Sequence, residues 1–247
     1  MKYLTRALSV LLVVLFTSAG AQATLLSDLF NGGSITAGDK LFDNWQMVSY
    51  VASDSARSFN AANIDVTPLN DGGTNPGPGL NFTVSNNELS VTGDGIYAFV
   101  DLMFGFRASV LDPTMRIKDN SLTLTDALLG WDPGDGRFDL GTDIRETIGS
   151  APGQDDLGAK DVEFSVSGDP EVIISNTLDS ATFAPQSEIW VTKNILVWSV
   201  DGTDTADLFG FEQRFSQTTA TVPEPSTLLL TCLGIAGLVA LRRAKKQ

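Results

Sequence analysis

The sequence predicts an all-β fold: a single antiparallel β-sandwich, jelly-roll-like or Ig-like, with long Gly/Asp-rich loops, followed by one short C-terminal transmembrane helix. Three observations carry this expectation. Apolar residues alternate with period two through most of the chain, as half-buried strands require. Glycine and proline, 23 and 10 of 247 residues, punctuate the alternating runs. The single cysteine excludes an internal disulfide, so the fold must hold by its core alone.

The chain divides into three parts. Residues 1–23 carry Lys2 and Arg6, an apolar run from Leu8 to Phe16, and small residues ending in Ala21, Gln22 and Ala23. A basic start, a short apolar stretch and an Ala-x-Ala site form a secretory signal peptide, with cleavage by signal peptidase predicted after Ala23. No cysteine follows that site directly, which removes a lipoprotein anchor. Residues 24–221 form the exported sandwich domain and residues 222–247 a terminal signal.

Within the domain, Leu25 to Phe30 predicts a turn or short helix. Phe42 and Trp45 predict an edge strand whose aromatic rings plug the end of the sandwich. Phe82 and Val84, then Leu89 and Val91, flank Asn86 and Asn87, the expected tip of a hairpin. From Asp101 to Val110, Leu102, Phe104, Phe106, Ala108 and Val110 fall on one face. Leu122 and Leu124 share a face, although Ser121 to Leu129 also suits a short helix. Residues 130–159 lack convincing alternation and read as a long surface loop carrying short ordered pieces. Val162, Phe164 and Val166 alternate with polar residues, the cleanest strand pattern in the chain. Trp190 and Trp198 stand eight apart, so an uninterrupted strand puts both on one face, unless Lys193 and Asn194 break the register. Phe209, Phe211 and Phe215 are expected on a single face.

At the far end, Pro223, Glu224 and Pro225 lead into an uncharged helix over residues 226–241 and a basic tail, 242–247, with Arg242, Arg243, Lys245 and Lys246. A basic cluster directly after an apolar segment marks the cytoplasmic end of a membrane helix, which leaves the body outside. Sixteen helical residues rise about 24 Å, short of a hydrocarbon core of roughly 30 Å. A helix that spans marginally suits a removable anchor. The tripeptide, helix and basic tail, in that order at the terminus, resemble the PEP-CTERM sorting signal of Gram-negative bacteria. The opening from Leu29 to Trp45 is similar to that of uncharacterised exported PEP-CTERM proteins. The resemblance implies a precursor held in the inner membrane, recognition by an exosortase, cleavage near the tripeptide, and delivery to the cell surface or exterior, often where exopolysaccharide is made.

Charge and composition narrow the activity. Thirty acidic residues stand against 16 basic ones, net −14. Six of the basic residues lie in the two terminal signals, so the domain is more acidic still. Such a field repels phosphate backbones, and nucleic-acid binding is not expected. With no histidine, Ser-His-Asp triads, Cys-His dyads and imidazole zinc sites are excluded. Lys40, Lys118, Lys160 and Lys193 lack the Ser-x-x-Lys pattern of a serine–lysine dyad. Asp132, Asp135 and Asp139, with Asp143 beyond them, crowd a glycine-rich loop and offer the oxygen ligands calcium prefers. The spacing is not that of an EF-hand, and ordinary turn formation accounts for the same residues. Trp131, Trp190 and Trp198 are the candidate sugar-stacking rings, with core packing as their alternative role. The expectation is a non-enzymatic exported protein with a structural or adhesive role associated with exopolysaccharide. A carbohydrate-binding module is the second reading, and a glycosidase using two carboxylates the third.

Overall fold

A computed structural model describes residues 22–71, 73–134, 138–168 and 171–220. Asp135, the sorting tripeptide, the predicted helix 226–241, the basic tail and Ala21 lie outside the described residues. In chain order the elements are β1 (Thr24–Leu25), α1 (Leu26–Phe30), β2 (Ile35–Ala37), β3 (Lys40–Ala52), a 3-10 turn (Ala61–Asn63), β4 (Ile64–Leu69), β5 (Gly79–Val84), β6 (Ser90–Thr92) and β7 (Ala98–Val110). They continue with β8 (Met115–Gly130), β9 (Asp139–Gly149), β10 (Gly158–Ser167), β11 (Val172–Asn176), β12 (Leu178–Gln186), β13 (Glu188–Ser199) and β14 (Thr205–Thr219). No helix among the described residues is long and apolar enough to cross a membrane.

The strands form two antiparallel sheets packed as a sandwich. The first runs β1-β4-β5-β14-β8-β12, with β6 also paired to β14; the second runs β11-β10-β9-β13-β7-β3-β2. The chain passes from one sheet to the other repeatedly: between β1 and β2, β3 and β4, β6 and β7, β7 and β8, β8 and β9, β11 and β12, β12 and β13, and β13 and β14. Each sheet turns one face inward, so period-two sequence converts directly into burial. Val100, Leu102, Phe104, Phe106 and Ala108 of β7 are buried, as are Ile189, Val191, Ile195 and Val197 of β13. Each large aliphatic or aromatic side chain among them contributes about 1.5–3 kcal/mol when removed from water.

Aromatic rings bridge the sheets. Trp45 stacks on Phe106 with centroids 4.4 Å apart and meets Phe82 of the opposite sheet at 6.3 Å. Phe42 meets Phe215 across the interface at 5.2 Å, and Phe82 stacks on Phe211 at 4.4 Å. Phe42 and Trp45 therefore occupy the centre of the core rather than plugging its end. They both point inward because β3 bulges between Asp43 and Gln46. Asn44 takes a φ of 53° there, a conformation asparagine tolerates, and the extra residue reverses the alternation once.

Several expectations need correction. Asn86 and Asn87 do adopt positive φ, but β5 and β6 both pair with the same side of β14 in one direction. The asparagines are the central residues of the turn Ser85–Glu88, closed by the Glu88 N–H donating to the Ser85 carbonyl at 3.1 Å, which interrupts one strand line and is not a hairpin tip. Ser121–Leu129 is strand, inside β8, not helix. The stretch 130–159 is not a long loop, because β9 lies between β10 and β13 near the middle of its sheet. Its inward positions are Leu140, Thr142, Ile144, Glu146 and Ile148, all buried. The polar members hide the alternation. The shifts around Gly210 turn Phe209 outward while Phe211 and Phe215 stay in the core. The short helix at Leu26–Phe30 agrees with expectation, and it buries Leu26 and Leu29.

Candidate functional site

Strand β13 pairs without a register shift to β7 on one side and β9 on the other. Lys193 and Asn194 thus leave the alternation intact, and Trp190 and Trp198 share the outer face of the second sheet. The strand spacing separates them by about 26 Å, so they do not form one stacking platform. Their surroundings also differ. The Trp198 ring closes on Gly141 of β9: a Cβ on that glycine would stand 2.6 Å from the indole Cη2 and 2.6 Å from Ser165 Cβ. The Trp198 indole N–H donates to Asp139 at 2.9 Å. Trp198 is committed to its own sheet. Trp131 is half-buried and packs against the core.

Trp190 is placed differently. Across the outer face of the second sheet runs a groove of about 320 Å³, lined from β3 by Asn44 and Gln46, from β7 by Met103 and Gly105, from β9 by Thr147, and from β13 by Trp190 and Thr192. Pro152 and Gly153 of the β9–β10 turn close one side. Trp190 faces Arg107 on β7 and Gly149 on β9. The Arg107 guanidinium carbon sits 5.9 Å from the ring centroid and is held there by two hydrogen bonds to Asp43, at 2.9 and 2.8 Å, and one to Glu188 at 3.4 Å. A fixed cation over one side of an indole orients the ring. Among the described residues that line the groove none is ionisable, in a chain with 30 carboxylates.

The acidic candidates are already engaged. Asp132 accepts the Gly134 N–H within its own turn at 2.8 Å, and Asp139 accepts from Trp198. Among the described residues no group of three His, Cys, Asp or Glu side chains converges as a cation site. On the outer face of β9, Asp143 lies opposite Glu163 and near Asp161 of β10. Burial, together with the hydrogen bond and charge of Asp161, pushes the Asp143 carboxyl up to about 7, against the opposing pull of Arg145. One oxygen of Asp143 and one of Asp161 are buried without a donor, so a proton retained on Asp143 has Asp161 as its acceptor. Arg145 reaches Asp143 at 3.0 Å and Asp161 at 3.8 Å.

The interior holds a second polar group, which sequence reading passed over. Glu146 of β9 is flanked in register by Lys160 of β10 and Lys193 of β13. Both ammonium groups contact its carboxylate, Lys160 at Oε1 and Lys193 at Oε2. From the opposite sheet, Asn120 Nδ2 donates to Glu146 Oε1 at 3.0 Å and Gln213 Nε2 donates to the same oxygen at 2.8 Å. Lys160 Nζ also contacts Asn120 Oδ1. Lys193 Nζ lies 5.4 Å from the Phe211 centroid and 5.8 Å from that of Phe82. All five residues are buried, none more than 3% exposed. Burial lowers Lys193, and lowers Lys160 to about 8, despite the pull of Glu146 in the other direction. Burial also presses the Glu146 carboxyl upward, but the two lysines together hold it below its ordinary range. The signal for this cluster was in the sequence: Lys193 occupies an inward position between Ile189, Val191, Ile195 and Val197, where only a core residue belongs.

Among solved structures, the chain is similar to that of TmCBM61 in complex with beta-1,4-galactotriose, with 11% sequence identity over 72% of this chain and 89% of that one, at a TM-score of 0.22. A likeness that distant carries no argument about a ligand. No curated protein matches the sequence. Residues 221–244 match the family model of the PEP-CTERM protein-sorting motif. The chain therefore carries the terminal signal of an exosortase-sorted surface protein, which implies an exported, membrane-anchored precursor in a Gram-negative bacterium.

Proposed function

We propose that this chain is a non-enzymatic adhesive protein of the cell surface or extracellular matrix that binds neutral glycan, such as the cell's own exopolysaccharide, in the Trp190 groove. The observation that carries the reading is the groove's chemistry. A half-buried indole lies beside Asn44, Gln46, Thr147 and Thr192, and among the described residues no ionisable side chain lines the groove. A sugar ring matches that lining, because its C–H face covers an aromatic ring while its hydroxyls need neutral donors and acceptors at the margin. A charged polymer would find no unpaired counter-charge among the described lining residues, since the nearby Arg107 is already held by Asp43 and Glu188.

In this reading signal peptidase removes residues 1–23, exosortase cuts near Pro223, and no reaction is performed on the glycan. The placement of Asp143 supports the last point. Its proton-retaining carboxyl is engaged with Asp161 and Arg145 on the sheet face and does not line the Trp190 groove. Two experiments test the proposal. Affinity electrophoresis of the exported chain through gels containing a neutral β-glucan, a galactan or alginate should show retardation by a neutral polymer and none by alginate. Trp190→Ala should weaken that retention at least tenfold, as removal of a central aromatic anchor does. Equal retention of the variant removes the groove from the function. Separately, intact masses from strains with and without the exosortase should show a species lacking residues 1–23 and ending near Pro223 only where the enzyme is present.

A further inference from the structure

We propose that Lys160 and Asn120 condense with each other inside the folded sandwich, forming an intramolecular amide bond that ties the two sheets together, with Glu146 carrying the protons. The groups are already assembled. Lys160 Nζ contacts the Asn120 side-chain carbonyl oxygen and Glu146 Oε1. The same Glu146 oxygen accepts the Asn120 amide nitrogen at 3.0 Å. One carboxylate oxygen therefore stands against both the attacking amine and the nitrogen that must leave, which is where a proton shuttle has to be. Asn120 comes from β8 of the first sheet and Lys160 from β10 of the second, so folding itself supplies the proximity.

The charge arrangement favours the reaction. Two ammonium groups on one carboxylate leave a surplus positive charge in the core, and burial favours the neutral amine at one of them. Lys193 has a reason to keep its proton, since its ammonium lies over the Phe82 and Phe211 rings. Among the described residues no aromatic ring faces the Lys160 ammonium in this way, and burial brings its amine to about 8, within reach of neutral pH.

The steps balance. Lys160 passes a proton to Glu146 and becomes a neutral amine. Its nitrogen lone pair attacks Asn120 Cγ, and the carbonyl electron pair moves to Oδ1. The carboxyl then protonates Nδ2 while the new nitrogen gives its remaining extra proton back to the carboxylate. The Cγ–Nδ2 bond breaks, the carbonyl re-forms, and ammonia departs with that last proton as ammonium. No oxidant or cofactor is needed. Afterwards Glu146 and Lys193 remain as a one-to-one ion pair, and the surplus charge is gone.

The test is mass spectrometry of the exported chain. One ammonia, about 17 Da, should be missing from the intact mass. Because an acylated Lys160 resists trypsin, the digest should contain residues 119–137 joined to residues 146–193. Lys160→Met, which leaves Glu146 paired with Lys193, should fold with its full mass. A natively folded wild-type chain of full mass overturns the proposal. So does a chain lacking 17 Da with no joined peptide, the mark of an asparagine succinimide, and so does a cross-link to Gln213 or between Lys40 and Gln217, another lysine–amide contact in the protein.

Discussion

Replacing Asp143 by asparagine should change how stability depends on pH, and the direction follows from the geometry. Asp143 sits on the outer face of β9, with Asp161 and Glu163 on the neighbouring strand, and its carboxyl is raised from 3.8 to about 7. A carboxyl raised on folding keeps its proton longer in the native state than in the unfolded chain. Its contribution is complete below about pH 4 and is lost as pH climbs through 7. The rise from 3.8 to about 7 sets a ceiling of about 4 kcal/mol. Arg145 is largely exposed, as is half of Asp161, so screening reduces the expected loss to about 1–2 kcal/mol between pH 5 and pH 8. An amide in place of the Asp143 carboxyl can donate to Asp161 at every pH, so Asp143→Asn should be more stable than the natural chain at pH 8 and similar at pH 5. Urea unfolding at both values, followed by tryptophan fluorescence, measures the difference. Asp143 and Asp161 are direct neighbours, so the double variant with Asp161→Asn should not simply add a second, independent effect to the first. Parallel pH profiles for the natural chain and Asp143→Asn would show that no shared proton exists.

Other perturbations test the sandwich directly. Gly141→Ala places a methyl group where the Trp198 ring and Ser165 now lie; it should cost about 1–3 kcal/mol and alter tryptophan fluorescence as the bond to Asp139 breaks. Phe82→Ala removes the ring that stacks on Phe211 and faces Trp45, with an expected loss of about 3–5 kcal/mol in urea unfolding. Glu146→Gln leaves two buried lysines without a counter-charge and should cost about 3–5 kcal/mol. The proposed amide closes a loop of about 40 residues, so the cross-linked chain should exceed Lys160→Met in stability by about 4 kcal/mol on the chain-entropy model; identical urea midpoints would contradict a covalent tie.

The sequence alone determined the class of fold and the address. Period two in Leu102, Phe104 and Phe106 and in Val162, Phe164 and Val166 reports local geometry, since each strand must present one apolar face whatever its neighbours are. The Pro223–Pro225 motif is likewise a linear signal, read without folding. The even spacing of Trp190 and Trp198 correctly put both rings on one face. What remained closed were features set by partners distant in sequence. Whether Trp198 is a platform depends on Gly141 lying beneath it, and whether 139–149 is a strand depends on Glu146 finding Lys160, Lys193, Asn120 and Gln213. Bulges shift the alternation at Asn44 and again near Gly210, because strand pairing decides where an extra residue is accommodated. A polar side chain at an inward position looks like a break in a strand until the groups that satisfy it are brought across from the other sheet. Only the tertiary structure brings them, because the stability of a buried charge lies in its partners rather than in its own residue type.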